Sequence, residues 1–236
     1  MRLDKYLVDE GYYESRNRAN DAIKAGLVNV DGKKGKPSNK IDENSIVEVE
    51  QSKFYVSRAG RKLESFLLEY PMELEGKRAL DIGSSTGGFA QILLENSVAS
   101  IDCVDVGSNQ LHISLRDNDK ITLHEETDIR DYSNPEAFEL ITCDVSFISI
   151  LQILDAIDKL AIDGSNIIIL YKPQFEVGKD VKRDSKGVVQ DIDAIERRKE
   201  EFVAECQKLA WELKFVALSK VVGKEGNQEY LFHFQK

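Results

Sequence analysis

The first fifty residues carry short apolar patterns of two kinds. Apolar positions at helical spacing predict a helix over residues 2–10 and a second helix from an N-cap at Ser15 to Gly26. Alternating positions predict a strand in LVNVDGKK (27–34) that runs into an Asp-Gly turn, and another strand at 45–50. Two short helices and a hairpin predict a small α+β module.

From residue 54 the pattern changes to helices that alternate with apolar strands. Ser57 is expected to cap a helix that runs to about Tyr70, and several later strands are apolar throughout, as parallel strands covered on both faces are. This rhythm predicts an α/β fold with a doubly wound, Rossmann-like sheet, and the last two strands predict an antiparallel hairpin at its edge. We therefore divide the chain into domains 1–53 and 54–236. The predicted strands are 78–82, 101–106, 121–125, 140–145, 166–171, 214–219 and 230–234, and the predicted helices are 87–95, 108–116, 148–160 and 192–212.

Composition narrows the class of protein. The 236 residues are 42% hydrophobic and 31% charged, which is an ordinary globular balance and excludes a disordered or fibrous chain. Cys103, Cys143 and Cys206 are too few for a disulfide scaffold and form no C-x-x-C pair, so we expect no metal site. The N-terminus has no signal-peptide core, and no apolar run is long enough to span a bilayer. We expect a cytoplasmic protein with no membrane partner.

The net charge of −10 is unevenly distributed. Residues 1–40 carry a net charge of +3 and residues 53–62 a net charge of +4, whereas residues 41–52 carry −4 and the rest of the chain −13. Basic charge is therefore concentrated in the first quarter, where it can direct a polyanion to one face. Ordinary solvated lysines would explain the same distribution equally well.

A glycine-rich turn follows the first strand of the second region, in DIGSSTGGF (81–89). Small residues let the backbone turn tightly and approach a ligand, and the next helix offers free N–H groups. The following strand ends in Asp105, whose carboxylate can accept the hydroxyls of a ribose. Asp128, after the third strand, could face the base of the same ligand or cap its own loop. The pattern predicts a cofactor with a nucleoside; an N-capping turn would leave Gly87-Gly88 without a purpose.

The same turn also matches G-x-S-x-G, the nucleophile elbow of α/β-hydrolases, with Ser85 as the nucleophile. That chemistry needs a later acid followed by a histidine. The only late histidine, His233, lies in the middle of a predicted strand, so we disfavour this alternative.

Four charged residues lie where a cleft is expected. Asp144 ends the fourth strand and Lys172 ends the fifth, and ligands in open α/β sheets bind at these carboxyl ends. Lys62 lies on the helix before the first strand, and Glu229 opens the last strand. Each residue alone could belong to a solvated surface, but together they indicate a charged site.

These motifs together resemble the TlyA family, which joins an S4-like RNA-binding domain to an FtsJ-like methyltransferase domain and also carries the name haemolysin A. The resemblance covers nearly the whole chain. It rests on RLDKYL (2–7), SR (15–16), AIKAG (22–26), VNVDG (28–32), YVSRAGRKL (55–63), DIGSSTGGF (81–89), VDVG (104–107), DVSFIS (144–149), KPQFE (172–176) and GNQEY (226–230).

The resemblance implies that S-adenosylmethionine is the cofactor and that the 2′-hydroxyl of a cytidine ribose in ribosomal RNA is the methyl acceptor. It implies a catalytic tetrad of Lys62, Asp144, Lys172 and Glu229. Removing the hydroxyl proton needs a base, and a lysine serves only in its neutral form. Our hypothesis is that Lys172 is the base and that Lys62 positions the hydroxyl, with the two acids orienting the lysines.

The motifs and the resemblance together also suggest residues that bind the cofactor and the RNA. For the cofactor we expect Asp81, Gly83, Ser84, Ser85, Gly87, Gly88, Phe89, Asp105, Val106, Asp128 and Ile129. For RNA we expect Arg2, Lys5, Arg16, Arg18, Lys24, Lys33, Lys34, Lys36 and Arg58, which would bind phosphates.

Two other functions stay open. One is a non-catalytic RNA-binding or ribosome-assembly factor, although the intact tetrad argues against lost catalysis. The other is a membrane-active haemolysin, which would need an amphipathic or apolar membrane segment that we do not find. The sequence leaves open the modified nucleotide, whether RNA or an assembled ribosomal subunit is the partner, which lysine is the base, and the oligomeric state.

Overall fold

The computed structural model describes residues 1–13, 15–50 and 53–236. By its contacts the chain separates into two units, Met1–Phe54 and Tyr55–Lys236. Each unit has apolar clusters of its own, so each is described separately.

The N-terminal unit consists of two helices and a three-stranded antiparallel sheet. Leu3, Leu7, Ile23 and Val28 belong to its buried core. The predicted N-cap is confirmed, since the hydroxyl of Ser15 accepts the N–H of Arg18. The predicted hairpin gains a third strand, because the two lysines after the turn, Lys33 and Lys34, pair with residues 29–30. The elements are α1 (Leu3–Asp9), α2 (Arg16–Lys24), β1 (Val28–Val30), β2 (Lys33–Lys34) and β3 (Val47–Val49), in the sheet order β2-β1-β3.

The second unit is an α/β fold around a seven-stranded mixed sheet. Its elements are α3 (Arg58–Glu69), β4 (Arg78–Ile82), α4 (Gly88–Glu95), β5 (Ser100–Val104), α5 (Ile113–Arg116), β6 (Ile121–His124), β7 (Phe138–Cys143), a 3₁₀ turn (Ile150–Gln152), α6 (Leu154–Leu160), β8 (Ala161–Tyr171), α7 (Pro173–Glu176), α8 (Ile192–Lys208), β9 (Glu212–Leu218) and β10 (Tyr230–Gln235). The strand order is β6-β5-β4-β7-β8-β10-β9. Strands β4 to β8 are parallel, whereas β10 is antiparallel to both β8 and β9, so the predicted edge hairpin is confirmed.

The central strands are buried on both faces, as their uninterrupted apolar sequences predict. Ile167 and Ile169 of β8 belong to one apolar cluster, whereas Ile168 and Leu170 belong to the other. Because successive side chains of a strand point to opposite faces, the two clusters lie on opposite sides of the sheet. The core therefore fixes the strand ends that carry the charged residues.

Three predicted helices are shorter in the structure. The helix predicted at 108–116 is reduced to α5, since Asn109 has a φ of +57°, which no α-helix accommodates. The helix predicted at 148–160 begins as the 3₁₀ turn, where the Glu176 carboxylate accepts the N–H of Ile150. The helix predicted at 192–212 ends at Lys208, because Ala210 is left-handed with a φ of +62°.

Across residues 1–13, 15–50 and 53–236, no helix combines the length and the apolar content that crossing a bilayer requires. Within the same ranges, no group of three His, Cys, Asp or Glu side chains is arranged to hold a metal ion. The three cysteines are buried free thiols.

Candidate active site

Two clefts open at the carboxyl ends of the parallel strands in the second unit. The larger cleft, of about 390 Å³, has residues that follow β4, β5, β6 and β7 in its wall, including Asp105 after β5 and Asp128 after β6. The smaller cleft, of about 240 Å³, has Lys62 and Lys172 in its wall. Asp144 lines both clefts, as do Gly83, Ser85 and Ser146, so the two clefts adjoin.

The four residues of the predicted tetrad form two ion pairs beside the smaller cleft. The Lys62 Nζ lies 2.5 Å from Glu229 Oε2, although the two residues are 167 positions apart. The Lys172 Nζ lies 2.5 Å from Asp144 Oδ1. Three of the four line the smaller cleft, and Glu229 contacts the lysine of α3 from outside its lining. The structure thus brings all four side chains together.

Lys172 contacts more than its carboxylate. Its ammonium donates to the hydroxyl of Ser146 at 2.8 Å and lies 3.4 Å from the main-chain carbonyl oxygen of Asp144. Burial raises the pKa of the Asp144 carboxyl above its usual range, and the neighbouring ammonium opposes that rise. Ser146 was not identified by the sequence analysis, although this residue lies only two positions after Asp144, in the loop that follows β7.

Glu229 has a second contact. The side-chain amide of Gln174, on α7, donates to Glu229 Oε1 at 3.4 Å, while Lys62 holds the other oxygen. Both Lys62 and Glu229 are more than nine-tenths buried. A buried ion pair of this kind fixes the position of each partner, because separating them would leave a charge without water.

The three glycines of the glycine-rich turn do not all lie at the clefts. Gly83 has a φ of +75°, and a Cβ there would lie 3.0 Å from the carbonyl oxygen of Asp144, so this glycine is needed at the clefts. Gly87 and Gly88 line neither cleft. A Cβ on Gly88 would lie 2.1 Å from Ser57 Oγ, so that glycine lets α4 pack against the start of α3. Packing explains why glycine is needed at Gly88, and the cofactor contact of Gly87 and Gly88 stays a prediction.

Asp81 is almost fully buried at the end of β4. Its Oδ1 accepts a hydrogen bond from the Thr142 hydroxyl at 2.8 Å, while its Oδ2 has no hydrogen-bond partner. Burial raises the pKa of this carboxyl to about 7, and the nearby charge of Asp144 adds to the rise. A buried acceptor without a partner is unusual in a folded protein and is a candidate contact for a ligand.

The remaining predicted cofactor residues divide between the two clefts. Asp105, Val106, Asp128 and Ile129 line the larger cleft together with Ser85. Asp128 also holds the guanidinium of Arg130, which lowers the pKa of its carboxyl to about 2. Sequence reasoning missed several lining residues of the larger cleft, because loop positions carry no periodic signal. In the smaller cleft the predicted residues are Asp81, Gly83, Ser84, Ser85 and Phe89, and the missed residues of the larger cleft include Gln110, Thr127, Val145 and Phe147.

The hydrolase alternative finds no support in the contacts of its candidate residues. The Ser85 hydroxyl donates to Gln110 Oε1 at 2.9 Å, and the ring of His233 contacts Asn166. His112 contacts Ser114, and His124 contacts Asp102. None of these contacts joins a histidine to the Ser85 hydroxyl.

The basic side chains predicted to bind RNA are exposed on the N-terminal unit, with one exception. The exception is Arg58, which begins α3 in the second unit and lines the smaller cleft. Arg2 and Arg16 both contact the buried Asp4 carboxylate, at 3.0 and 2.6 Å, and more than half of each arginine side chain stays exposed. The exposed set on the N-terminal unit is Arg2, Lys5, Arg16, Arg18, Lys24, Lys33, Lys34 and Lys36.

Comparison with known proteins gives the class first. A family model for FtsJ-like methyltransferases matches residues 55–236, and an S4 domain model matches residues 1–47. The solved structure of Aeropyrum pernix fibrillarin with natively bound S-adenosyl-L-methionine shares the fold (TM-score 0.53, 17% identity, 75% of each chain covered). The second unit therefore has the fold of S-adenosylmethionine-dependent methyltransferases.

The family follows from more similar chains. The 23S rRNA (cytidine-2'-O)-methyltransferase TlyA of Campylobacter jejuni is 46% identical, with 100% of both chains covered. The 16S/23S rRNA (cytidine-2'-O)-methyltransferase TlyA of Mycobacterium tuberculosis is 36% identical, covering 97% of this chain and 87% of that one. A solved Streptococcus thermophilus structure that carries the hemolysin name is 34% identical, with a TM-score of 0.74, and covers 100% of this chain and 88% of that one. This chain belongs to the TlyA family.

The observed groups fit S-adenosylmethionine. That molecule carries a ribose and two positive charges, on its sulfonium and its amino group. The clefts present a strand-end carboxylate at Asp105 and a buried, unpartnered carboxylate oxygen at Asp81. Acceptors and negative charge are the groups that such a molecule needs.

Proposed function

We propose that this protein transfers a methyl group from S-adenosylmethionine to the 2′-hydroxyl of a cytidine ribose in ribosomal RNA. The observation that carries the proposal is that four charged side chains meet beside the smaller cleft, which adjoins the larger cleft. These side chains are Lys62, Asp144, Lys172 and Glu229. The activities named for the two TlyA relatives support the same substrate.

The cofactor would be held by residues of both clefts. Asp105, Val106, Asp128 and Ile129 would surround its nucleoside, and Asp81, Gly83, Ser84, Ser85 and Phe89 would line the part nearer the tetrad. When bound, S-adenosylmethionine supplies an electrophilic methyl group on a sulfonium. Gly88 would contribute by packing α4, and the cofactor contact of Gly87 and Gly88 stays a prediction.

Lys172 is the proposed base. A ribose hydroxyl is a weak nucleophile and must lose its proton as the new O–C bond forms. Lys172 reaches into the smaller cleft, and the Ser146 hydroxyl, 2.8 Å away, can accept from the ammonium or donate to the neutral amine. The proton would pass to the Lys172 Nζ, and Asp144 would compensate the resulting charge.

Lys62 is proposed to orient the hydroxyl and to stabilise negative charge that develops on its oxygen. Its ammonium lines the same cleft and is held by Glu229 from behind. Much of the rate would come from holding the two reacting groups in place, which needs rigid side chains more than a strong base.

The N-terminal unit is proposed to be an S4-type RNA-binding domain. Its exposed cations would contact phosphates and position a folded RNA without reading its sequence. We propose that the RNA-binding domain comprises residues 1–53 and that the methyltransferase domain comprises residues 54–236. Arg58, in the wall of the smaller cleft, would contact RNA close to the reacting ribose.

Methyl transfer to ribosomal particles tests this function. Purified protein with methyl-labelled S-adenosylmethionine should label 30S or 50S subunits, or their naked RNAs, and mapping should find 2′-O-methylcytidine. Comparing subunits with naked RNA also identifies the partner. Transfer of label to protein or to a base instead of a ribose would contradict the proposal, as would the absence of any labelled RNA while S-adenosylhomocysteine still binds.

A further inference from the structure

Asp105, the strand-end carboxylate of the larger cleft, already accepts three hydrogen bonds from the protein. The N–H of Ser85 donates to Oδ2 at 2.8 Å, and the N–H of Gly107 donates to Oδ1 at 2.7 Å. The third donor is the side-chain amide of Gln110, whose Nε2 lies 3.3 Å from Oδ1. The same amide accepts the Ser85 hydroxyl through Oε1 at 2.9 Å. Gln110 therefore spans the gap between the glycine-rich turn and Asp105.

The space beside Gly107 is a second observation about the contact between Gln110 and Asp105. Its φ lies outside the left-handed region, so the backbone conformation does not require glycine there. A Cβ at this position would lie 1.7 Å from Gln110 Nε2 and 2.9 Å from Gln110 Cδ. The absence of a side chain at Gly107 is what lets the amide fold back over Asp105.

A count of acceptor positions shows the consequence for a ligand. A carboxylate offers about four lone-pair positions, and three are taken here. A ribose that donates both of its hydroxyls to Asp105 needs two positions. Two of the present donors are backbone N–H groups held by their loops, whereas Gln110 is an exposed side chain on a short segment. Gln110 is the donor that can leave.

We propose that Gln110 is a displaceable internal ligand of Asp105, which occupies the place of the cofactor ribose until the cofactor removes it. The inference rests on the proposed role of Asp105 toward the cofactor and is independent of the RNA substrate. Gln110 lowers the affinity for nucleoside cofactors by the strength of the two hydrogen bonds that binding must break. Because every ligand whose ribose uses Asp105 meets the same cost, Gln110 sets the affinity of the cofactor site rather than its choice among nucleosides.

Binding of S-adenosylhomocysteine to the full chain tests the proposal by titration calorimetry. Gln110→Ala should lower the Kd by about three- to tenfold, the range expected from the net value of one or two side-chain hydrogen bonds. Ser108→Ala, at an exposed neighbouring position, is the matched control and should leave the Kd unchanged. A Kd that is unchanged or higher in Gln110→Ala overturns the proposal; a higher value would make Gln110 a direct cofactor ligand.

A double-mutant cycle with Gly107→Ala sharpens the result. The added methyl group expels the amide, so Gln110→Ala introduced into Gly107→Ala should change the Kd by less than about twofold. An equal effect of Gln110→Ala in both backgrounds overturns the proposal. If neither wild type nor variant binds S-adenosylhomocysteine, the cofactor assignment fails as well. Loss of RNA methylation with the predicted Kd changes intact would overturn only the proposed function.

Discussion

The two units each contain a buried charged centre, and the two centres have opposite charge balances. In the N-terminal unit one buried carboxylate, Asp4, is shared by Arg2 and Arg16, whose side chains are more than half exposed. In the second unit two lysines face three acids, Asp81, Asp144 and Glu229, and all five groups lie in or beside the clefts. One centre therefore has surplus positive charge in water, and the other has more acids than lysines away from water.

The pKa values of the acids follow this balance. Hydrogen bonds from the two arginines lower the pKa of Asp4 to about 2, whereas burial raises that of Asp81 to about 7. Both carboxylates are about 1% exposed, but Asp4 is covered by two arginines that stay largely in water, whereas Asp81 lies deep in the fold. Burial and the charge of the partner therefore decide the direction together. Exposed surplus cations suit a polyanion such as RNA, and a buried surplus of acid suits a cationic cofactor.

The largest expected effect comes from removing the proposed base. Lys172→Ala should lower methyl transfer by at least about 100-fold, the lower end of what general-base catalysis contributes. The affinity for S-adenosylhomocysteine should stay within about threefold, because the acids that suit the cofactor remain. Lys159→Ala, at an exposed position on α6, is the control and should keep wild-type turnover. Near-wild-type turnover of Lys172→Ala would reject the assignment.

The second effect concerns how much the Lys62–Glu229 ion pair, in the charged centre of the second unit, contributes to stability. Glu229→Gln leaves the buried Lys62 ammonium without a carboxylate and should lower the free energy of unfolding by about 3 kcal/mol. Glu212→Gln breaks the much more exposed pair with Lys214 and should cost less than about 1 kcal/mol. Urea denaturation of both variants measures the difference. Equal losses would mean that the Lys62–Glu229 pair is not a buried one in solution.

The third effect is a pH dependence of opposite sign in the two centres. Asp81 keeps a proton in the folded state that the unfolded chain releases, so its contribution to stability falls by up to about 1.4 kcal/mol per pH unit from about pH 4 to about pH 7. Asp81→Asn should remove that fall, while its amide oxygen still accepts from Thr142. Asp4 contributes stability that is lost as pH falls from about 4 to about 2, and Asp4→Asn should remove this loss.

Denaturation of wild type and both variants across pH 2–8 measures these differences. The two substitutions should act in separate pH ranges, one on each side of pH 4. If both variants keep the wild-type pH dependence, the contrast between the two carboxylates is wrong.

The smallest effect is on the salt dependence of RNA binding. Arg16→Ala removes one exposed cation of the N-terminal centre and should reduce the slope of log K against log salt by about 0.7 to 0.9. Lys159→Ala, in the other unit, should leave the slope unchanged. Filter binding of ribosomal RNA to the full chain between low and high salt measures both. Equal slopes for Arg16→Ala and wild type would remove Arg16 from the RNA-binding surface.

Much of the fold could be predicted because local sequence carries it. Most of β4 and β7 and residues 167–171 of β8 are apolar on both faces, and this composition is itself the sign of a covered parallel sheet. Helix ends were less predictable. The segment 108–112 looks helical by composition, yet it contains Asn109 in a left-handed conformation and folds Gln110 toward Asp105. Side-chain hydrogen bonds to Asp105 and from Ser85 accompany this turn, and the spacing of apolar residues does not predict them.

The residues of the candidate site also fall into two groups, those that local sequence predicts and those that it does not. Asp105, Asp144 and Lys172 could be placed from sequence because each ends a strand, and parallel strands end at one edge. Ser146, Gln110 and Gln174 could not, since their roles are hydrogen bonds made by loop or short-helix side chains. Gly88 shows the converse: the sequence marks it as special, but only packing against α3 explains why.

By itself, then, the sequence determined the alternating order of strands and helices, the glycine turn and the strand-end acids, because periodicity and strand ends are local properties of the chain. Tertiary structure decided which charges meet. Strand β10 lies antiparallel between β8 and β9, which brings Glu229 to Lys62 across 167 residues. Two helices likewise bring Arg2 and Arg16 to one carboxylate. Pairings of this kind depend on the packing of distant elements, and that packing sets both the pKa values and the ligand each centre suits.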